Sequence, residues 1–135
     1  MVAAEFLRPT YRILISDDDE GCRETVREAL AERGYDTRLA SCGREAIEVA
    51  RRQLVHVLIV DMNMPDMNGL DTVLTIRREI SIRLPSILMS GDTPRELLGK
   101  ALSAEFDSFI AKPFEMSALR HIVKEVIRRH YETDD

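Results

Sequence analysis

The sequence predicts an α/β fold, one five-stranded parallel sheet with five helices spread over its two faces. Apolar runs of strand length alternate five times with longer stretches of helical period, the pattern of a parallel sheet covered by helices. The run at residues 55–60, VHVLIV, lacks polar alternation, as expected of a central strand buried on both faces. The chain of 135 residues is 44% hydrophobic and 32% charged, which suits one domain. A domain of that size buries roughly two thirds of its unfolded surface without needing a disulfide or structural metal.

The first strand is Arg12–Ser16, RILIS. After an acidic turn, residues 20–33 read as helix because Val26, Ala29, Leu30 and Arg33 recur at spacings of three and four, and Gly34 supplies the stop. Asp36–Ala40 is a weaker strand whose polarity marks a sheet edge. Residues 44–53 form the second helix, with Ala46, Ile47 and Ala50 on one side. The central strand at 55–60 leads through a loop holding Pro65 and Gly69 to a third helix at 70–80. Residues 85–89 are the fourth strand. Thr93-Pro94-Arg95-Glu96 is a capping box with proline at the first helical position, so a fourth helix begins there and ends near residue 104. Ser108–Ala111 is the fifth strand, stopped by Pro113. The last helix, 115–131, turns Leu119, Ile122, Val123 and Val126 inward and Arg120, Lys124, Arg128 and Arg129 outward. Residues 1–10 and 132–135 read as flexible ends around a single domain at 11–131, with no internal repeat.

Several function classes are disfavoured at this point. A net charge of -5 gives no general attraction to nucleic acid or to an anionic membrane. Cys22 and Cys42 show neither C-x-x-C nor metal-ligand spacing and fit two reduced thiols. The first nine residues contain Glu5 and Arg8 and no long apolar stretch, and no spanning segment follows, so a cytoplasmic protein is expected.

Ligand sites of open parallel sheets gather outside the carboxyl ends of the strands. Four of the five ends are polar here: Asp17-Asp18-Asp19, Asp61, Ser90-Gly91-Asp92, and Lys112 before Pro113. Carboxylates from neighbouring strands raise one another's pKa unless a cation joins them, and oxygen ligands with few neutral donors suit Mg²⁺. A hydroxyl, an amide beside a glycine and an ammonium can then hold phosphoryl oxygens while a carboxylate attacks. Asp61, at the centre, is the natural nucleophile. Singly, these residues have structural alternatives, Asp17 to Asp19 as a helix cap, Lys112 as a surface charge and Ser90 as the start of a turn. Their joint occurrence at four strand ends favours the site.

The segments ILISDDDE, VLIVDMNMPDMNGL, PSILMSGD and FIAKPF resemble the receiver domains of bacterial two-component response regulators, over about residues 11–130. The resemblance implies a flavodoxin-like, doubly wound sheet of strand order 2-1-3-4-5. It makes Asp61 the phosphoacceptor. Asp18, Asp61 and the main-chain carbonyl of Asn63 become direct Mg²⁺ ligands, and Asp17 holds the metal through water. Lys112 and Ser90 contact the phosphoryl oxygens, with Met62 and Gly91 as further phosphoryl-binding positions, and Ser90 and Phe109 form the switch pair. The implied donors are a sensor histidine kinase or a histidine phosphotransfer protein. The signal passes to a downstream effector or output domain, with a homodimer possible, and the domain is a phosphoacceptor and not a turnover enzyme.

Some positions depart from the family pattern. Phe109 lacks the hydroxyl many relatives carry there, which leaves a packing switch only. Glu105-Phe106 replaces the usual Gly-Ala turn. Phe106 is then either an exposed anchor on the face of the fourth helix, fifth strand and fifth helix, edged by Lys100, Lys124, Arg120 and Asp107, or a core ring beside Phe109. His56, His121 and His130 have no nameable carboxylate partner and read as packing or surface residues; Met62, Met64 and Met67 read as loop and core packing. Two rivals stand beside the phosphoacceptor reading. A phosphohydrolase would place a general-acid Asp where Asn63 stands, and a receiver-like interaction module would never use phosphate.

Overall fold

The computed structural model describes residues 9–80, 82–91, 95–103 and 106–132. Its elements follow one another as β1 (Arg12–Ser16), α1 (Glu20–Ala31), β2 (Asp36–Ala40), α2 (Gly43–Arg52), β3 (Val57–Asp61), α3 (Gly69–Ile80), β4 (Ser86–Ser90), α4 (Arg95–Ser103), β5 (Ser108–Ala111) and α5 (Met116–Tyr131). The five strands form one parallel sheet in the order β2-β1-β3-β4-β5, so β2 is an edge as its polarity predicts. The capping box at Thr93 and Pro94, Glu105 and the expected flexible segment before Pro9 lie outside the described residues.

Alternation along the strands divides the core in two. Leu14, Leu58, Val60 and Leu88 face the side covered by α2 and α3, with Leu98 of α4 against them. Ile13, Ile15, Val57, Ile59, Ile87 and Met89 face α1 and α5, meeting Val26, Leu30, Leu119, Val123 and Val126. No described helix is long and apolar enough to cross a membrane.

Small boundary differences have local causes. The first helix ends at Ala31 instead of 33 because the N–H groups of Arg33 and Gly34 reach back only three residues, and Gly34 takes φ 88°, open to glycine at little cost. β3 begins at Val57, where the ladder to Ile13 starts; just before it His56 holds Arg12 twice, Nδ1 accepting the Arg12 N–H at 2.9 Å and the His56 N–H reaching the Arg12 carbonyl at 2.8 Å. β4 begins at Ser86 because Pro85 has no N–H to give.

Three surface expectations are corrected. Arg120 does not simply point outward: its guanidinium donates to the Ala29 carbonyl at 3.1 Å and to Glu32 at 2.9 Å, tying α5 to α1. His130 has a carboxylate partner, Asp107, at 2.8 Å. The Asp107 side chain is buried and accepts from Arg83 and the Ser86 N–H as well, so it is a structural junction and not the rim of a partner face.

Candidate functional site

All five strands run the same way, so their carboxyl ends share one edge of the sheet, and the polar residues predicted there converge. β1 delivers Asp17, whose backbone N–H continues the ladder to Ala40 and whose side chain is fully buried. Asp19 leaves the cluster to cap α1, accepting the Cys22 N–H at 3.2 Å, and Asp18 stays exposed between them. β3 ends in Asp61, also buried. Asp17, Asp18 and Asp61 present carboxylate oxygens within 4.8 Å of one another. From β5, Lys112 reaches in with its ammonium 2.8 Å from Asp17 Oδ2 and 3.2 Å from Asp61 Oδ2. β4 contributes Ser90, buried beside the site, whose carbonyl accepts the Lys112 N–H at 2.7 Å.

The electrostatics separate the two buried acids. Burial would push Asp17 up, but Lys112 and the Asp19 N–H at 2.9 Å hold it below the usual carboxylate range. Asp61 goes the other way, to about 6, because burial and then the neighbouring Asp17 charge outweigh Lys112 and a 3.3 Å bond from the Asn63 N–H. Burial alone would lower Lys112, yet the two carboxylates keep it protonated well above its ordinary value. The Cys22 thiol, pushed up to about 12 by burial and by Asp17, stays protonated beside the cluster.

The family model of the response regulator receiver domain matches residues 13–124 of this sequence. The chain belongs to that family. Response regulator RR06 of Streptococcus pneumoniae is 29% identical over 123 residues, covering 91% of this chain and 56% of the relative. Response regulator MprA of Mycobacterium leprae is 32% identical over 118 residues, 87% of this chain and 51% of that one. The receiver domain thus spans about half the length of the curated relatives it matches. Among solved structures, chemotaxis protein CheY4 of Vibrio cholerae superposes with a TM-score of 0.81 at 27% identity, covering 87% of this chain and 99% of that one. A CheY-like receiver domain protein of Methanospirillum hungatei, at 24% identity and TM-score 0.84, covers 93% and 100% and supports the fold.

Within this receiver domain, Asp17, Asp18, Asp61, Lys112 and Ser90 gather at the site, while Phe109 lies on β5 opposite Leu88 with 43% of its surface exposed. Gly91 is exposed, with open space around it. Met62 is placed differently from its expected role. Its side chain is buried and its N–H is given to the Met89 carbonyl at 2.9 Å, so the amide facing the Asp61 carboxylate is that of Asn63. Gly69, which the sequence marks only as a loop residue before the third helix, does more: a Cβ there would stand 2.6 Å from the Asp61 carbonyl oxygen, and only glycine lets α3 start this close to the end of β3. Phe106 is neither of the two things expected of it. It is half-buried against the α2 and α3 side of the core, and Phe109 is not its neighbour there but points outward.

Proposed function

We propose that this receiver domain takes a phosphoryl group onto Asp61 from a phosphohistidine on a sensor histidine kinase or histidine phosphotransfer protein. The observation that carries the reading is the buried Asp61 carboxylate, set at the end of the central strand with Lys112 3.2 Å from one oxygen. In the step, an Asp61 oxygen bonds to phosphorus as the bond from phosphorus to the donor nitrogen breaks, and the electron pair leaves with the imidazole. The product is an acyl phosphate, whose oxygens Lys112, Ser90 and the amides of Asn63 and Gly91 are suited to hold. At about 6, the Asp61 pKa leaves the carboxylate mostly ionised at neutral pH, so it is ready to attack.

The donor set fits a divalent cation. Three carboxylates against one ammonium leave two negative charges in a partly buried pocket, and oxygen ligands of this kind suit Mg²⁺. Asp18, Asp61 and the Asn63 carbonyl would hold Mg²⁺ directly and Asp17 through water, and the ion would supply charge neutralisation to the transferring group.

The switch follows from the neighbours. Ser90 is buried at the end of β4 and Phe109 is turned out on β5, the arrangement expected before phosphorylation. A phosphoryl group on Asp61 would draw the Ser90 hydroxyl toward it and open room for the Phe109 ring to turn in. That biases a two-state element and alters the surface of α4, β5 and α5 read by a downstream effector or output domain, or by a second copy. Incubation with acetyl phosphate tests the reading: Mg²⁺-dependent gain of one phosphoryl group is expected, with Ser90→Ala labelled normally but with a diminished shift of the Phe109 NMR signals. Labelling that ignores Mg²⁺, or multiple turnover of a phosphomonoester without a labelled protein, would overturn it.

A further inference from the structure

Helix α2 starts at Gly43 with Cys42 as its N-cap residue, and Cys42 makes no side-chain cap bond. The cap comes instead from the loop that follows the phosphoacceptor. Asp66 sets one carboxylate oxygen 3.0 Å from the Gly43 N–H and the other 2.8 Å from the Arg44 N–H. A carboxylate there satisfies two otherwise orphaned donors and meets the positive end of the helix dipole. The same loop is pinned at other points. Gly69 donates its N–H to the Met62 carbonyl at 2.9 Å, the Ser16 hydroxyl lies 3.2 Å from Met64 Sδ, and Met67 lies over the Gly43 backbone with no room for a Cβ between them. Asn63 stands between Asp61 and the Asp66 clamp, and its N–H reaches Asp61 Oδ1 at 3.3 Å.

From this geometry we infer that Asp66 is a positioning residue for the phosphoacceptor site: by clamping the loop to the amino end of α2 it fixes where the Asn63 backbone stands relative to Asp61. The inference rests on the site reading above. A cap for α2 alone needs no distant residue, since Ser, Thr or Asp at position 42 would provide one locally. The cysteine there leaves the helix end to Asp66, so anchoring of the loop and completion of the helix are one interaction.

Two variants separate positioning from capping, with Mg²⁺ alone as the probe. Asp66→Ala should lower Tm by about 4 °C, the size expected for one lost cap in a domain of this length. It should also shift the Asn63 amide resonance in the metal-free protein and weaken Mg²⁺ binding roughly tenfold, as loss of a supporting partner does at metal sites. Adding Cys42→Ser to Asp66→Ala restores a local cap: Tm should recover while Mg²⁺ binding and the Asn63 resonance stay perturbed. Unchanged Mg²⁺ affinity in Asp66→Ala, or its recovery together with Tm in the double variant, overturns the inference and leaves the site reading intact. Failure of the unaltered protein to bind Mg²⁺ overturns both.

Discussion

Asp61→Asn should make the metal-free protein more stable, although it removes the residue placed at the centre of the site. An unfolded chain ionises this carboxyl near 3.8, whereas the folded protein holds it at about 6 through burial and the Asp17 charge. At roughly 1.4 kcal/mol per pH unit, the ionised side chain costs the fold up to about 3 kcal/mol at pH 7. Lys112 loses a charged partner in the variant but keeps Asp17 at 2.8 Å, which offsets part of the gain. The net increase should be about 1–2 kcal/mol by this reckoning. The sign with pH follows. Asp61 is harder to ionise folded than unfolded, so the wild-type penalty is complete above pH 6, shrinks as pH falls between 6 and 3.8, and is gone below. Urea unfolding followed by circular dichroism, in chelator, at several pH values between 4 and 7.5, gives the difference directly. An Asn variant less stable than wild type at pH 7, or a gain that does not shrink in acid, would show that the ionised Asp61 carries no such penalty in the folded protein.

Other outcomes follow from the same structure. Gly69→Ala forces a Cβ to within 2.6 Å of the Asp61 carbonyl oxygen, so it should cost about 1–3 kcal/mol in urea unfolding and slow phosphorylation together. Asp107→Ala takes the acceptor from the buried Ser86 N–H and removes one carboxylate contact each from the Arg83 and His130 side chains; a loss of about 2–3 kcal/mol is expected by thermal unfolding, with phosphorylation itself retained. Phe106→Ala, half-buried against the core, should cost about 2 kcal/mol, between an exposed and a core aromatic. A change under about 0.5 kcal/mol would return Phe106 to the surface.

The fold and most of the site are legible in the sequence because they rest on short-range pattern. Uninterrupted apolar residues at 57–60 announce a strand buried on both faces, and parallel strands carry their ends to one edge, so Asp17, Asp18, Asp61, Ser90 and Lys112 can be grouped before any geometry is known. What stays hidden depends on contacts between distant segments. Nothing local in Met62-Asn63 says which amide the sheet consumes and which faces Asp61, since that depends on the Met89 carbonyl across β4. Asp107 looks like any surface acid until the starts of β4 and β5 meet the end of α5, and Asp66 looks like a turn residue until α2 arrives without a cap of its own. For Asp66 a faint signal exists: a cysteine at a helix start, where Ser, Thr or Asp is usual, implies that the donors there are met from elsewhere.

Chemical trapping locates the phosphoryl group proposed for Asp61 at the level of the single residue. Reduction of an acyl phosphate with borohydride converts the modified aspartate to homoserine, which peptide mass spectrometry locates. After treatment with acetyl phosphate and Mg²⁺, homoserine at position 61 is predicted, with none when Mg²⁺ is chelated; homoserine at position 17 or 18, or equal labelling of Asp61→Asn, would remove Asp61 from the phosphoacceptor role.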